Sequence, residues 1–353
     1  MCTYHSSSVY PLDFRQSSYH RQWVRAGESE VKLVLIFGQG YSQTIEIDAS
    51  HEVRAVAFTA NGEYLVSGGF EGVQVWRVKD GEQVATVEVR DIWSVAVSKD
   101  GRFIAAGSLW GDVFVWDATT CEQVFPGRIP DLPTIYAVDF SPDSTRAVSA
   151  WKCTATIWDI AADGEVCSLG HGQPVFTAKY SPQGNRIATA HPESVQVWDS
   201  DDQCLLVDVK AGLEPWRGLL WLGNNHLLIK TIDSKIRQID ASTGSTVSEW
   251  PVPYDHDSWI ALPQHGQCIA RSTKDKITFW DTSTHTQLGL IPRSSENGPI
   301  AFSPDDRLAI VSLEKKIIIK TLSFVKVCPV FFRCHPAREH LPLSHTQGAV
   351  HSY

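Results

Sequence analysis

"SLWGDVFVWD", Ser108–Asp117, decides how this chain reads. Val113 and Val115, with flanking Asp112 and Phe114, fit a short strand that ends at Trp116, and Asp117 opens the polar turn "DATTCE". The closing tryptophan–aspartate pair is one of a series. "VQVW" (Val73–Trp76), "VFVWD" (Val113–Asp117), "ATIWD" (Ala155–Asp159), "VQVWD" (Val195–Asp199), "IRQID" (Ile236–Asp240) and "ITFWD" (Ile277–Asp281) place the tryptophan or its equivalent at 76, 116, 158, 198, 239 and 280. The steps are 40, 42, 40, 41 and 41 residues, and a degenerate seventh segment, "IIIKT" (Ile317–Thr321), follows 40 residues later.

A second marker keeps the same beat. An apolar residue and a turn-forming cluster recur as "FTANG" from Phe58, "VSKDG" from Val97, "FSPDS" from Phe140, "YSPQG" from Tyr180, "WLGNN" from Trp221, "LPQHG" from Leu262 and "FSPDD" from Phe302. Such clusters supply positive φ or local side-chain hydrogen bonds to the backbone. Between the markers lie short runs rich in Val, Ile, Phe and Trp, about four per unit, and no segment carries a helical apolar period. Seven units of four strands predict an all-β chain, a seven-bladed β-propeller of four-stranded antiparallel blades.

The pairs Trp116-Asp117, Trp158-Asp159, Trp198-Asp199 and Trp280-Asp281, with the "FSPD" turns at Phe140 and Phe302, resemble the WD40 repeat family over roughly residues 43–321. The wording is similar to that of divergent fungal WD40 repeat domains. The resemblance implies that Trp76, Trp116, Trp158, Trp198 and Trp280 are structural anchors packed between blades. Asp117, Asp159, Asp199 and Asp281 are expected to cap the following turn through backbone amides. The family's hydrogen-bonded chain of His, Asp, Ser/Thr and Trp is incomplete here. Gly170-His171 is the single Gly-His pair at a blade entrance, and Phe70, Trp110, Lys152, Pro192 and Lys274 stand where the family has Asp. Asp233 keeps the acid in blade 5, where Ile239 replaces the tryptophan, so no blade is expected to hold the full chain.

A propeller must join its ends. "QTIEI" (Gln43–Ile47) precedes the first inner strand and reads as the outer strand of blade 7, which closes the ring and removes an open sheet edge. The organisation expected is an N-terminal tail at 1–40, the propeller at 41–322 and a C-terminal tail at 323–353. The start "MCTYHSSSVY" lacks the apolar core of a signal peptide and "VKLVLIF" is too short to span a bilayer, so an intracellular location, cytoplasmic or nuclear, is expected. Eight cysteines without a C-x-x-C motif fit a reducing compartment. Cys328, Cys334, His335 and His340 have no zinc-finger spacing, and no metal is expected. A net charge of −9 without a strongly basic stretch argues against nucleic acid or an anionic membrane as partner.

The resemblance also places the second residue of each inner-strand motif toward the rim and central channel. These residues are Arg54, Trp93, Tyr136, Phe176, Arg217, Ser258 and Gly298. Phe70 and Trp110, and Trp151 one place off, fall at the turns between second and third strands, on the same rim. Aromatic residues and Arg are enriched in binding hot spots. Arg54, Phe70, Trp93, Trp110, Tyr136, Trp151, Phe176 and Arg217 are therefore the candidate partner-binding residues, for a protein or peptide. No G-x-S-x-G, H-E-x-x-H, phosphate loop or dinucleotide fingerprint occurs, so no catalytic residue or cofactor is expected. Two other readings stay open: a propeller hydrolase or oxidoreductase working around Asp255, His256 and Asp257, and a purely structural subunit of a larger assembly.

Overall fold

The computed structural model describes residues 32–35, 44–49, 51–128, 134–162, 164–213, 218–253, 258–293, 298–305, 307–311, 316–322 and 324–327. The described residues contain no helix and form seven four-stranded antiparallel sheets and one two-stranded sheet. Blade 1 shows the plan: Val53–Phe58 innermost, then Tyr64–Gly69, Gly72–Arg77 and, outermost, Gln83–Val87. The chain is a seven-bladed β-propeller.

Burial follows strand position. The second strands, such as "YLVSGG" and "FIAAGS", are buried almost throughout because each is covered by a blade on either face. Outer strands alternate between exposed and partly buried residues. Small residues on the second strands let the blades approach. A Cβ on Gly107 would lie 2.4 Å from Cγ2 of Ile135 in the next blade, and one on Gly68 would lie 2.5 Å from Cγ1 of Val95. Polar stitches add direction. Ser94 Oγ accepts from the Val138 amide at 3.1 Å, Asp139 Oδ2 from the Tyr180 amide at 2.9 Å, and the Lys179 carbonyl from Trp221 Nε1 at 3.1 Å.

Ring closure uses the N-terminal segment. Thr44–Asp48 pairs antiparallel with Lys316–Thr321, setting Ile45 opposite Ile319 and Ile47 opposite Ile317. The described strand covers Thr44–Ile47 of the expected Gln43–Ile47 and extends to Asp48; Gln43 lies outside the described residues. Ile47, Ile317 and Ile319 form one buried cluster with Val53, Leu65 and Trp76 of blade 1, so the seam between first and last blades is filled like the interior. Outside the seven blades, Lys32–Leu35 pairs with Phe324–Val327, a ribbon in the regions read as tails.

Candidate functional site

The turns between second and third strands and the loops entering each blade lie at the same end of the sheets. At blades 1 and 2 they are joined by backbone hydrogen bonds. Phe70 N–H donates to the Glu52 carbonyl (3.3 Å), Asp91 N–H to the Phe70 carbonyl (3.1 Å), and Leu109 N–H to the Asp91 carbonyl (2.9 Å). Asp91 thus sits between the turn that carries Phe70 and the turn that carries Trp110. It does so at φ 59°, in the left-handed region that Asp tolerates better than most residues.

The Asp91 carboxylate fastens two candidate residues. Oδ2 accepts from Trp110 Nε1 at 3.0 Å, and Oδ1 lies 3.5 Å from Nη1 of Arg54. Arg54 Nε also reaches Glu52 Oε1 at 3.3 Å, and its guanidinium lies 5.7 Å from the centroid of the Trp93 ring. The side chains of Arg54 and Asp91 are only 18% and 15% exposed. Trp110, in contrast, is 68% exposed and Phe70 52%. Both rings are open to solvent, while Asp91, which holds the Trp110 ring, and its partner Arg54 are shielded from it.

The other candidates separate. Tyr136 and Phe176 are half-buried and meet edge to face with centroids 4.8 Å apart. Trp151 turns inward: its Nε1 donates to Thr156 Oγ1 at 3.0 Å and its ring packs on the cluster containing Val113, Ile135 and Trp158. Arg217 lies outside the described residues, as do Asp255, His256, Asp257, Cys328, Cys334, His335 and His340. Among the described residues no group of His, Cys, Asp and Glu is arranged to hold a metal ion. Asp91, the hub, was missed by sequence reasoning, and so was Ile232, 58% exposed in the corresponding turn of blade 5. Ile232 was findable, as an apolar residue in that turn; Asp91 carried no local signal.

The anchors follow the WD-pair reading with one correction. Trp76, Trp116, Trp158 and Trp198 are buried, and Trp76, Trp158 and Trp198 donate from Nε1 to Ser67 Oγ (2.8 Å), Ser149 Oγ (2.8 Å) and Thr189 Oγ1 (3.0 Å). Trp280, expected to be buried, is only half-buried. The position nine before it holds fully buried Arg271 instead of Ser or Thr, and Trp280 Nε1 donates instead to Thr278 Oγ1 on its own strand (3.1 Å). Fully buried Lys230 occupies that place in blade 5. The capping aspartates act alike: Asp117, Asp159, Asp199 and Asp281 each accept from the amides two and three residues on. These amides hold the Asp117 and Asp199 carboxyls below the usual range.

Blade 4 keeps three members of the four-residue chain. His171 Nε2 lies 2.8 Å from Thr189 Oγ1, which accepts from Trp198; His171 Nδ1 lies 2.8 Å from the Leu169 carbonyl. A carbonyl only accepts, so Nδ1 carries the proton, and Nε2 accepts from the threonine hydroxyl. Burial holds this imidazole neutral, with its pKa lowered to about 4. Nearby, buried Ser194 lies 2.6 Å from His191 Nε2 and also bonds Asp208. The serine stands between acid and imidazole, whereas a nucleophilic triad needs the imidazole between acid and serine.

The sequence matches the family model of the WD domain, G-beta repeat, at residues 42–73, 81–117 and 119–159. Among curated proteins it is similar to Periodic tryptophan protein 2 of Arabidopsis thaliana, 26% identical over 175 residues, which are 46% of this chain and 19% of that protein. It is 23% identical over 296 residues to WD repeat-containing protein 1 of Gallus gallus, covering 73% of this chain and 46% of that protein. The chain therefore spans less than half the length of either relative. Among solved structures, the β-propeller domain of Cps50 (Swd1) from Myceliophteria thermophila superposes with a TM-score of 0.70 at 18% identity, over 80% of this chain and 98% of that one. That likeness is one of fold.

Proposed function

We propose that this chain, a WD40-repeat β-propeller, is a non-catalytic scaffold that binds a protein or peptide partner on the rim of blades 1 and 2. The observation that carries the reading is the pair of exposed rings, Trp110 and Phe70, standing on the shielded Arg54–Asp91 base. The Trp110 ring, exposed and held at its edge by Asp91, supplies apolar contact area at low entropic cost to a partner, and Phe70 adds exposed apolar area beside it. Trp93 supports the patch from below by stacking under Arg54, and Tyr136 and Phe176 extend the aromatic wall along the innermost strands of blades 3 and 4.

Co-purification from the source cells tests the reading, comparing wild type with a W110A/F70A double variant. Both side chains are exposed, so the variant keeps its fold and thermal midpoint. Loss of a specific partner with an unchanged midpoint is the expected result. A partner set that survives both truncations refutes it and moves the interface to the blade sides or the channel.

A further inference from the structure

The rim is electrostatically lopsided. The loops that carry the two rings hold the exposed carboxylates of Glu52, Glu71 and Glu88 and the half-buried ones of Asp91 and Asp112, against the guanidiniums of Arg54 and Arg90. Five carboxylates against two guanidiniums leave the patch negative. Arg54 is already engaged by Glu52 and Asp91. His51, buried beneath, lies 3.5 Å from Glu71. Lys152, in the matching turn of blade 3, bounds the patch on its far side.

Trp110 is the other half of the observation. Its Nε1–H donates to a carboxylate, which pushes electron density into the indole and makes its face a better seat for a cation. The ring is also fixed at its edge, so a face is presented to solvent without loss of side-chain freedom on binding.

Resting on the rim reading above, we propose that the partner presents a cationic side chain, Lys or Arg, next to an apolar one. The cation lies on the face of Trp110 within reach of the Glu52 and Glu71 carboxylates, and the apolar neighbour covers Phe70. Asp91 is the positioning residue for the tryptophan.

A random-peptide library displayed on phage, selected on the full chain at physiological salt, tests this, with the enriched peptides resynthesised and measured by fluorescence anisotropy. The expected result is Lys or Arg beside an apolar residue. Affinity is expected to fall by roughly tenfold in W110A and roughly three- to fivefold in W110L, which keeps apolar area but lacks the π face. Neither substitution changes the net charge, so a loss cannot come from the acidity of the whole protein. Peptides that depend on Trp110 but carry no cation overturn the charge assignment and leave the rim reading standing. Peptides indifferent to both W110A and F70A, or no enrichment at all, overturn both.

Discussion

Replacing Thr189 by valine tests the blade-4 chain with little change of shape. Thr189 is fully buried, and its hydroxyl serves two neighbours: it accepts from Trp198 Nε1 at 3.0 Å and donates to His171 Nε2 at 2.8 Å. Valine fills the same space and strands both. A buried donor or acceptor left without its partner costs about 1–3 kcal/mol. His171 is half-buried and recovers part of its share from water, so the sum is about 2–4 kcal/mol, a fall in thermal midpoint of roughly 3–7 °C for a domain of this size. Thermal unfolding followed by near-ultraviolet circular dichroism reads it, with T189S as the control that keeps the hydroxyl. A T189V midpoint within a degree of wild type, or a T189S loss as large as that of T189V, refutes the reasoning.

Three other outcomes follow from the same physics. His171 is held neutral, its folded pKa about 4 against an unfolded 6.5, so its contribution is complete above pH 6.5 and is lost as the pH falls toward 4; the loss is about 2–3 kcal/mol, and H171Q flattens that acid slope in denaturant titrations. Burial raises the Asp139 carboxyl, with Lys179 and the Tyr180 and Phe140 amides opposing, so its protonated form stabilises the fold below the unfolded pKa and that contribution is lost as the pH rises. D139N, which keeps an acceptor for Tyr180, therefore unfolds no lower than wild type at pH 7; a loss above about 1 kcal/mol shows that the attraction to Lys179 outweighs burial. At the seam, I47A empties a fully buried site between Ile317 and blade 1 and costs about 2–4 kcal/mol in chemical denaturation, whereas exposed E46A stays within about 0.5 kcal/mol.

The architecture was readable because a propeller repeats one small problem. Each blade needs an apolar second strand and a tryptophan or its substitute against the neighbour, and blades 2 to 6 add an aspartate that caps the next turn; all three are local in sequence. Where the local rule breaks, the sequence still shows the break but not its consequence. Arg271 and Lys230 are visible as basic residues nine before Trp280 and Ile239, yet nothing local says that they are fully buried or that Trp280 tips outward. The N-terminal closure was legible because the segment stands just before the first inner strand and matches the outer segment after Gln83 in blade 1; its partner, Lys316–Thr321, lies far away in the chain.

The rim divides the same way. Trp110 and Trp151 look alike in sequence, both at the second-to-third turn, but Trp110 stands six residues before its anchor tryptophan and Trp151 seven. Side chains along a strand alternate between faces, so one residue of offset reverses direction. Trp151 ends the strand Arg146–Trp151 opposite Thr154 and folds in toward Thr156, while Trp110 falls in the turn itself and faces water. Counting from the anchor would have separated them. No counting finds Asp91, whose role consists of contacts to residues 37 positions before it and 19 after it, brought together by the packing of two blades. The exposed ring is thus a property of blade 2, but its fixed orientation belongs to the blade 1–2 interface. A D91A substitution should accordingly weaken partner binding with the thermal midpoint kept, although Trp110 itself is untouched; affinity that stays at the wild-type value would mean that the ring is held by something other than Asp91.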